Sequence, residues 1–256
     1  MKRILPLLLS LFIVGNIFGQ WSSLTNPYPR CYAKPVVFNG KIYFNDGYKT
    51  LATKIRHVEM VVFDPESESF DTISKPLHAN HPAMAVTAKG IYQFGGFDLK
   101  GDELTDRSFL FDGENWTEIA PMPEKAPFFA NNGIQVGSKI IIQAGAILRD
   151  TAFTEQSVVT TNHIYIYDET TNEWSIDSLS MPRILVGMAT DGENVVFAGG
   201  KNEDGITDVV DIYNVNEKTW TTTHLSSARA SVEVAYLNGK FYFCGGDFTG
   251  YAKSSD

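Results

Sequence analysis

A seven-residue pattern recurs five times along the chain, and it restricts the fold more than any other feature. Lys41-Ile42-Tyr43-Phe44-Asn45-Asp46-Gly47 is the first copy and Gly90-Ile91-Tyr92-Gln93-Phe94-Gly95-Gly96 the second. The others are Lys139-Ile140-Ile141-Ile142-Gln143-Ala144-Gly145, Asn194-Val195-Val196-Phe197-Ala198-Gly199-Gly200 and Lys240-Phe241-Tyr242-Phe243-Cys244-Gly245-Gly246. Their last glycines are spaced 49, 49, 55 and 46 residues apart. A fixed period of this size marks stacked supersecondary units, each unable to bury its apolar faces alone.

Two further markers keep the same register. After each of the first four copies, a short apolar run ends in an aromatic plus Asp or Asn: Phe63-Asp64, Phe111-Asp112, Tyr167-Asp168 and Tyr213-Asn214. A second aromatic follows, at Phe70, Trp116, Trp174 and Trp220, with Trp21 as an orphan copy. Nine residues beyond that aromatic lies a cation in four cases: Arg30, Lys125, Arg183 and Arg229; Ala79 breaks the pattern. Each unit therefore reads as four short strands. The first is a small apolar run such as 184–190, the second ends at the glycines, the third at the aromatic-Asp pair, and the fourth carries the tryptophan. Glycines allow close backbone approach, and the tryptophans supply apolar area between units.

The double glycines, the Tyr-Asp pair, the tryptophans and Met181-Pro182-Arg183 together resemble kelch repeats across residues 21–250, most specifically in units 2, 4 and 5. The resemblance implies an all-β propeller of four-stranded blades. Four units are complete. A fifth begins at Arg229 and stops after its glycine pair, and Trp21 to Leu24 reads as a fourth strand without the other three. Rings of this family usually have six or seven blades, so the expectation is a truncated ring, with a small five-bladed ring as the alternative.

Residues 1–19 read as a secretory signal and 20–256 as the propeller domain. Lys2 and Arg3 precede an apolar run from Ile4 to Phe18, with Gly19 as the cleavage residue. That run is shorter than the roughly 20 residues of a spanning helix, and no later segment is apolar enough to span a membrane. Loss of 1–19 leaves 19 basic against 30 acidic residues, a net charge of −11. Such a chain is a poor partner for nucleic acid, whose affinity comes from neutralised phosphates. Two cysteines, Cys31 and Cys244, make no disulfide scaffold, and unpaired thiols are the favoured reading.

In an antiparallel meander, the connections between second and third strands share a face with the start of each first strand. Loops at 48–57, 97–107, 147–162 and 201–208 are therefore the expected binding segments. Arg30, Arg183, Arg229 and Lys125 would form a cationic collar on that face. In some relatives, arginines at this repeat position hold acidic peptides, so the resemblance implies an anionic ligand. The competing reading pairs each cation with a carboxylate such as Asp204 or Asp102. Four residues past the arginine position come Lys34, Ala83, Gly187 and Glu233. The small residues suggest a tight place between blades, where the charges of Lys34 and Glu233 need partners.

The sequence carries no catalytic triad order, phosphate loop or zinc motif, and no cofactor is expected. Two function classes stay open. One is an exported scaffold that binds a protein or carbohydrate ligand, anionic in character. The other is a carbohydrate-active enzyme similar to the exported kelch sialic acid mutarotases (N-acetylneuraminate epimerases). It would use an arginine for the carboxylate and an acid/base such as Glu233.

Overall fold

A computed structural model describes residues 23–30, 33–45, 47, 58–101, 103–125, 133–148 and 158–248. Among the described residues every regular element is a β-strand. The first sheet is β1 (Lys34–Phe38), β2 (Lys41–Asn45), β3 (Met60–Asp64) and β4 (Ser69–Ile73). The second holds β5 (Ala79–Asn80), β6 (Ala83–Thr87), β7 (Gly90–Asp98), β8 (Glu103–Phe111) and β9 (Trp116–Ile119). The third unit runs β10 (Ile134–Val136), β11 (Lys139–Gln143), β12 (Ala146–Leu148), β13 (Val158–Thr160), β14 (His163–Asp168) and β15 (Glu173–Ser178). The fourth runs β16 (Gly187–Thr190), β17 (Asn194–Ala198), β18 (Lys201–Asn202), β19 (Gly205–Ile206), β20 (Val209–Asn214) and β21 (Thr219–His224). A hairpin, β22 (Glu233–Leu237) and β23 (Lys240–Cys244), follows.

Each four-stranded sheet is an antiparallel meander in chain order, with β12–β13 and β18–β19 as separate two-stranded arms. The sheets stack through their first strands: β1 beside β6, β6 beside β10, β10 beside β16, and β16 beside β22. Successive sheets therefore line a common axis, the arrangement of propeller blades.

The sequence markers have local physical causes. The aromatic ending each third strand faces the fourth-strand aromatic across the ladder, as in Phe63–Phe70, Phe111–Trp116, Tyr167–Trp174 and Tyr213–Trp220. Their ring centroids lie 4.7, 5.0, 5.0 and 4.6 Å apart. Such cross-strand aromatic pairs fix register. The Asp or Asn then caps the turn, its Oδ1 accepting main-chain N–H groups: Glu66 and Ser67 on Asp64, Glu114 and Asn115 on Asp112, Thr170 on Asp168, Asn216 and Glu217 on Asn214. The shorter Phe111-to-Trp116 gap is a turn with two fewer residues.

Apolar residues on both faces of the inner strands form a core between every neighbouring pair of sheets. Val36, Phe38, Tyr43, Met60 and Val62 meet Met84, Ile91 and Phe111 between the first two sheets. Tyr92 and Phe94 meet Ile140, Tyr165 and Tyr167 at the next junction. Ile141, Ile164 and Ile166 meet Val195, Phe197 and Tyr213 at the third. Each buried aromatic or branched aliphatic side chain stabilises the fold by roughly 1.5–3 kcal/mol. On the outward face of the last hairpin, Tyr242 is 50% and Leu237 59% exposed, whereas the equivalent Tyr43 and Tyr92 are 5% and 1% exposed.

Two expectations need correction. The segments 97–107, 147–162 and 201–208 are not plain loops, because β7 and β8 continue past a bulge at Phe94/Gly96 to Asp98 and Glu103, 146–148 pairs with 158–160 as the β12–β13 arm, and 201–206 folds into the β18–β19 arm. The first strand of the fourth unit is Gly187–Thr190 rather than the whole of 184–190, with Ile184 held to Lys201 by an isolated bridge. The signal segment, Trp21, Cys31, the expected loop 48–57 and Asp102 lie outside the described residues. Cys244 carries an exposed thiol.

Candidate functional face

The two faces of the array differ. On one, first and second strands join through tight turns. Asn39 and Gly40 (φ 47° and 74°) and Asn238 and Gly239 (φ 51° and 77°) take the left-handed conformations of two-residue hairpins. On the other, the second-to-third connections project as the β12–β13 arm, the β18–β19 arm and the long β7–β8 ribbon. The linkers that start each first strand emerge on this second face, and they carry the expected collar.

The structure gives Arg183 and Arg229 a shared main-chain role. The Arg183 N–H donates to Thr161 O (3.4 Å) and the Arg229 N–H to Thr207 O (3.2 Å), each in the preceding unit. The arginine carbonyl also faces the preceding unit: Gly200 N–H donates to Arg229 O at 2.9 Å, and the Gln143 side-chain amide donates to Arg183 O at 2.8 Å. A Cβ on Gly199 would lie 2.2 Å from Arg229 O, so a side chain is excluded there. The guanidinium groups turn instead to the second strand of their own unit. Arg30 donates to Phe44 O (3.0 Å), Arg183 to Phe197 O (3.2 Å) and Arg229 to Gly245 O (3.2 Å).

In their side-chain partners the four cations differ. Arg183 is 0% exposed, its Nη1 3.0 Å from Asp211 Oδ2. Burial lowers its proton affinity, and Asp211 opposes that shift. Its partner is thus a strand carboxylate, not loop residue Asp204. Asp211 also accepts from Ser180 N (3.0 Å), Ser180 Oγ (2.8 Å) and Thr222 Oγ1 (2.9 Å). Lys125 pairs with Glu103 at 2.9 Å with both side chains exposed, a contact that screening weakens. Arg229 is partly exposed, donates to Ser227 Oγ (3.0 Å), and stacks 4.5 Å over the exposed Phe248 ring. Arg30 is partly buried.

Lys34, Ala83, Gly187 and Glu233 occupy one ladder position, opposite Asn45, Phe94, Ala198 and Cys244 respectively. Space is scarce at Gly187, where a Cβ would meet Val232 O at 2.2 Å. Glu233 is exposed.

A polar constellation that the repeat pattern did not reveal lies at the mouth of the third sheet. Glu124 Oε2 accepts from the Tyr165 hydroxyl at 2.5 Å and lies 3.2 Å from His163 Nδ1. Burial first, then the Glu124 carboxylate, raises the proton affinity of the Tyr165 phenol. On the same face of the fourth sheet, His224 Nδ1 lies 3.0 Å from Asp208 Oδ1. A tyrosine, histidine and glutamate at these separate positions match no spacing motif, so only the folded ladder brings them together. Among the described residues no group of His, Cys, Asp and Glu could hold a metal ion, and no helix is long and apolar enough to cross a membrane.

No family model matches the chain. It is 32% identical over 136 residues to an F-box/kelch-repeat protein of Arabidopsis thaliana, a match covering 52% of this chain and 30% of that protein. It is 22% identical over 160 residues to Kelch-like protein 41b of Danio rerio, covering 61% and 25%. A 20% match over 264 residues to Kelch-like protein 40 of Xenopus tropicalis covers 84% and 43%. The chain thus spans less than half the length of each of these relatives.

Proposed function

We propose that this chain, similar to kelch-repeat proteins over much of its length, is an exported binding scaffold that holds a protein ligand on the face bearing the strand arms. One observation carries this reading. Tight hairpins close one face, whereas arms of unequal length project from the other. Binding residues commonly sit on such variable projections, positioned by a rigid frame. Export rests on Lys2, Arg3 and the apolar run that follows them. The partly exposed Arg229, stacked on Phe248, supplies the cation for an acidic ligand group.

The test is titration of the purified protein with an acidic peptide, N-acetylneuraminate, a uronic acid and a neutral hexose. The scaffold reading expects binding of the acidic peptide, weakened by salt and by Arg229→Ala, the latter by about 1.5–3 kcal/mol. Selective binding of N-acetylneuraminate, with faster interconversion of its anomers, would replace this reading with the sugar-modifying one. Equal binding of neutral and acidic probes would remove Arg229 from the site.

A further inference from the structure

We propose that Asn115 is an acceptor for N-linked glycan, an inference that rests on the export reading above. Asn115-Trp116-Thr117 is the one Asn-X-Ser/Thr triplet, with X not proline, in the sequence. Asn115 ends the turn between β8 and β9, and both Asn115 and Thr117 are exposed. The turn is held by its main chain and by Asp112. Asp112 N–H donates to Asn115 O at 3.1 Å, and Asn115 N–H donates to Asp112 Oδ1 at 2.7 Å. The Asn115 side-chain amide makes no hydrogen bond among the described residues, so attaching a sugar breaks no contact of the fold. Third-to-fourth turns lie on the face opposite the arms, and a glycan here leaves the proposed binding face clear.

The donor is an oligosaccharide linked to a polyprenyl pyrophosphate. The Asn115 amide nitrogen attacks the sugar C1. An N–C1 bond forms as the C1–O bond to pyrophosphate breaks. The polyprenyl pyrophosphate leaves with the electron pair, and the amide proton passes to a base of the transferring enzyme. The acceptor triplet is thus served by an activity of the export pathway, not by this chain.

The experiment uses the protein from its natural source. Its N-terminus is sequenced, and the peptide of residues 108–125, released by cleavage after Arg107 and Lys125, is weighed. A mature N-terminus near Gln20 and a glycan mass on that peptide are expected. Asn115→Gln and Thr117→Ala should give the bare peptide, and Thr117→Ser should keep the glycan. An exported protein whose peptide is bare overturns this inference and leaves export standing. A cytosolic protein that retains Met1 overturns both.

Discussion

Tyr165 of β14 and Asp211 of β20 occupy the same rung of their respective sheets, opposite Ile142 and Phe197, and each ties its sheet to the linker leading into it. The polarity of the tie is reversed between them. In the third sheet the strand supplies the donor, Tyr165, and the linker the carboxylate, Glu124. In the fourth, the strand supplies the carboxylate, Asp211, and the linker the donors Ser180 and Arg183. The corresponding rung holds Val61 opposite Phe44 in the first sheet and Phe109 opposite Gln93 in the second.

The Arg183–Asp211 pair should therefore behave as scaffold. Removing one member strands a buried charge, at a cost of about 3–5 kcal/mol. Arg183→Ala and Asp211→Ala are each expected to lower the unfolding free energy, read from denaturant titration, by an amount in that range. Arg183→Leu/Asp211→Leu together should cost less than the two single changes summed, because neither charge is left alone. Additive losses in a double-mutant cycle would show that the pair is not coupled.

The tie in the third sheet is milder. Tyr165→Phe removes one hydrogen bond to a half-exposed carboxylate and should cost about 1 kcal/mol. Burial, and then the bond to the carboxylate, holds the phenol proton more tightly than in the unfolded chain, as for Tyr92 beside Glu169. A raised tyrosine value means stability that is complete below the unfolded value and declines as pH rises above it. Stability should thus fall above about pH 10. Ultraviolet titration should find these two phenols silent until the fold opens, and early ionisation of either would contradict the geometry.

Register was largely legible in the sequence, because the aromatic pairs and turn-capping Asp residues act within a few residues of one another. The positions of Arg183 and Arg229 at the start of their units were legible for the same reason. The burial of Arg183 was hidden, since it depends on Asp211, which lies in an apolar strand and carries no repeat marker. Glu124, His163 and Tyr165 were hidden likewise, because a linker and a third strand meet only after the sheet has formed. The β18–β19 arm leaves no mark in the sequence, because its strands are too short for alternation to register.

Acid should loosen the turns between third and fourth strands. Hydrogen bonds to Thr170, aided by Lys139, hold Asp168 below the ordinary carboxylate range. Main-chain donors from Asn115 and Glu114 do the same for Asp112. A lowered carboxylate value gives stability that is present above the unfolded value and lost as pH falls through the folded one. Unfolding followed against pH should be flat above about pH 4 and steepen below it. Asp168→Asn should flatten that acid limb, since asparagine accepts the same bonds without titrating, and an unchanged limb would place the acid sensitivity elsewhere.

Gly187 marks a close main-chain approach between the fourth and fifth units. Gly187 begins β16, where β16 lies beside β22. A methyl group there would stand 2.2 Å from Val232 O, 2.7 Å from Val234 Cγ2 and 2.8 Å from Val232 Cγ1. The first of these is a main-chain atom, so no rotamer change relieves it. Gly187→Ala must push β22 away from β16 and disturb the apolar contacts of Val232 and Val234 with Val196, Ala198 and Val210. Overpacking of this kind costs about 1–3 kcal/mol. Gly137 is the contrasting case, a turn glycine at φ 58° with nothing within 4 Å of its added Cβ. Gly137→Ala should cost only backbone strain of about 1 kcal/mol and leave the inter-unit contact intact. Hydrogen exchange separates the two. Gly187→Ala should speed exchange at Ser231 N–H, which donates to Leu185 O across the junction, while Gly137→Ala should not. Equal protection of Ser231 in both variants would mean that the fourth and fifth units are not held at this point.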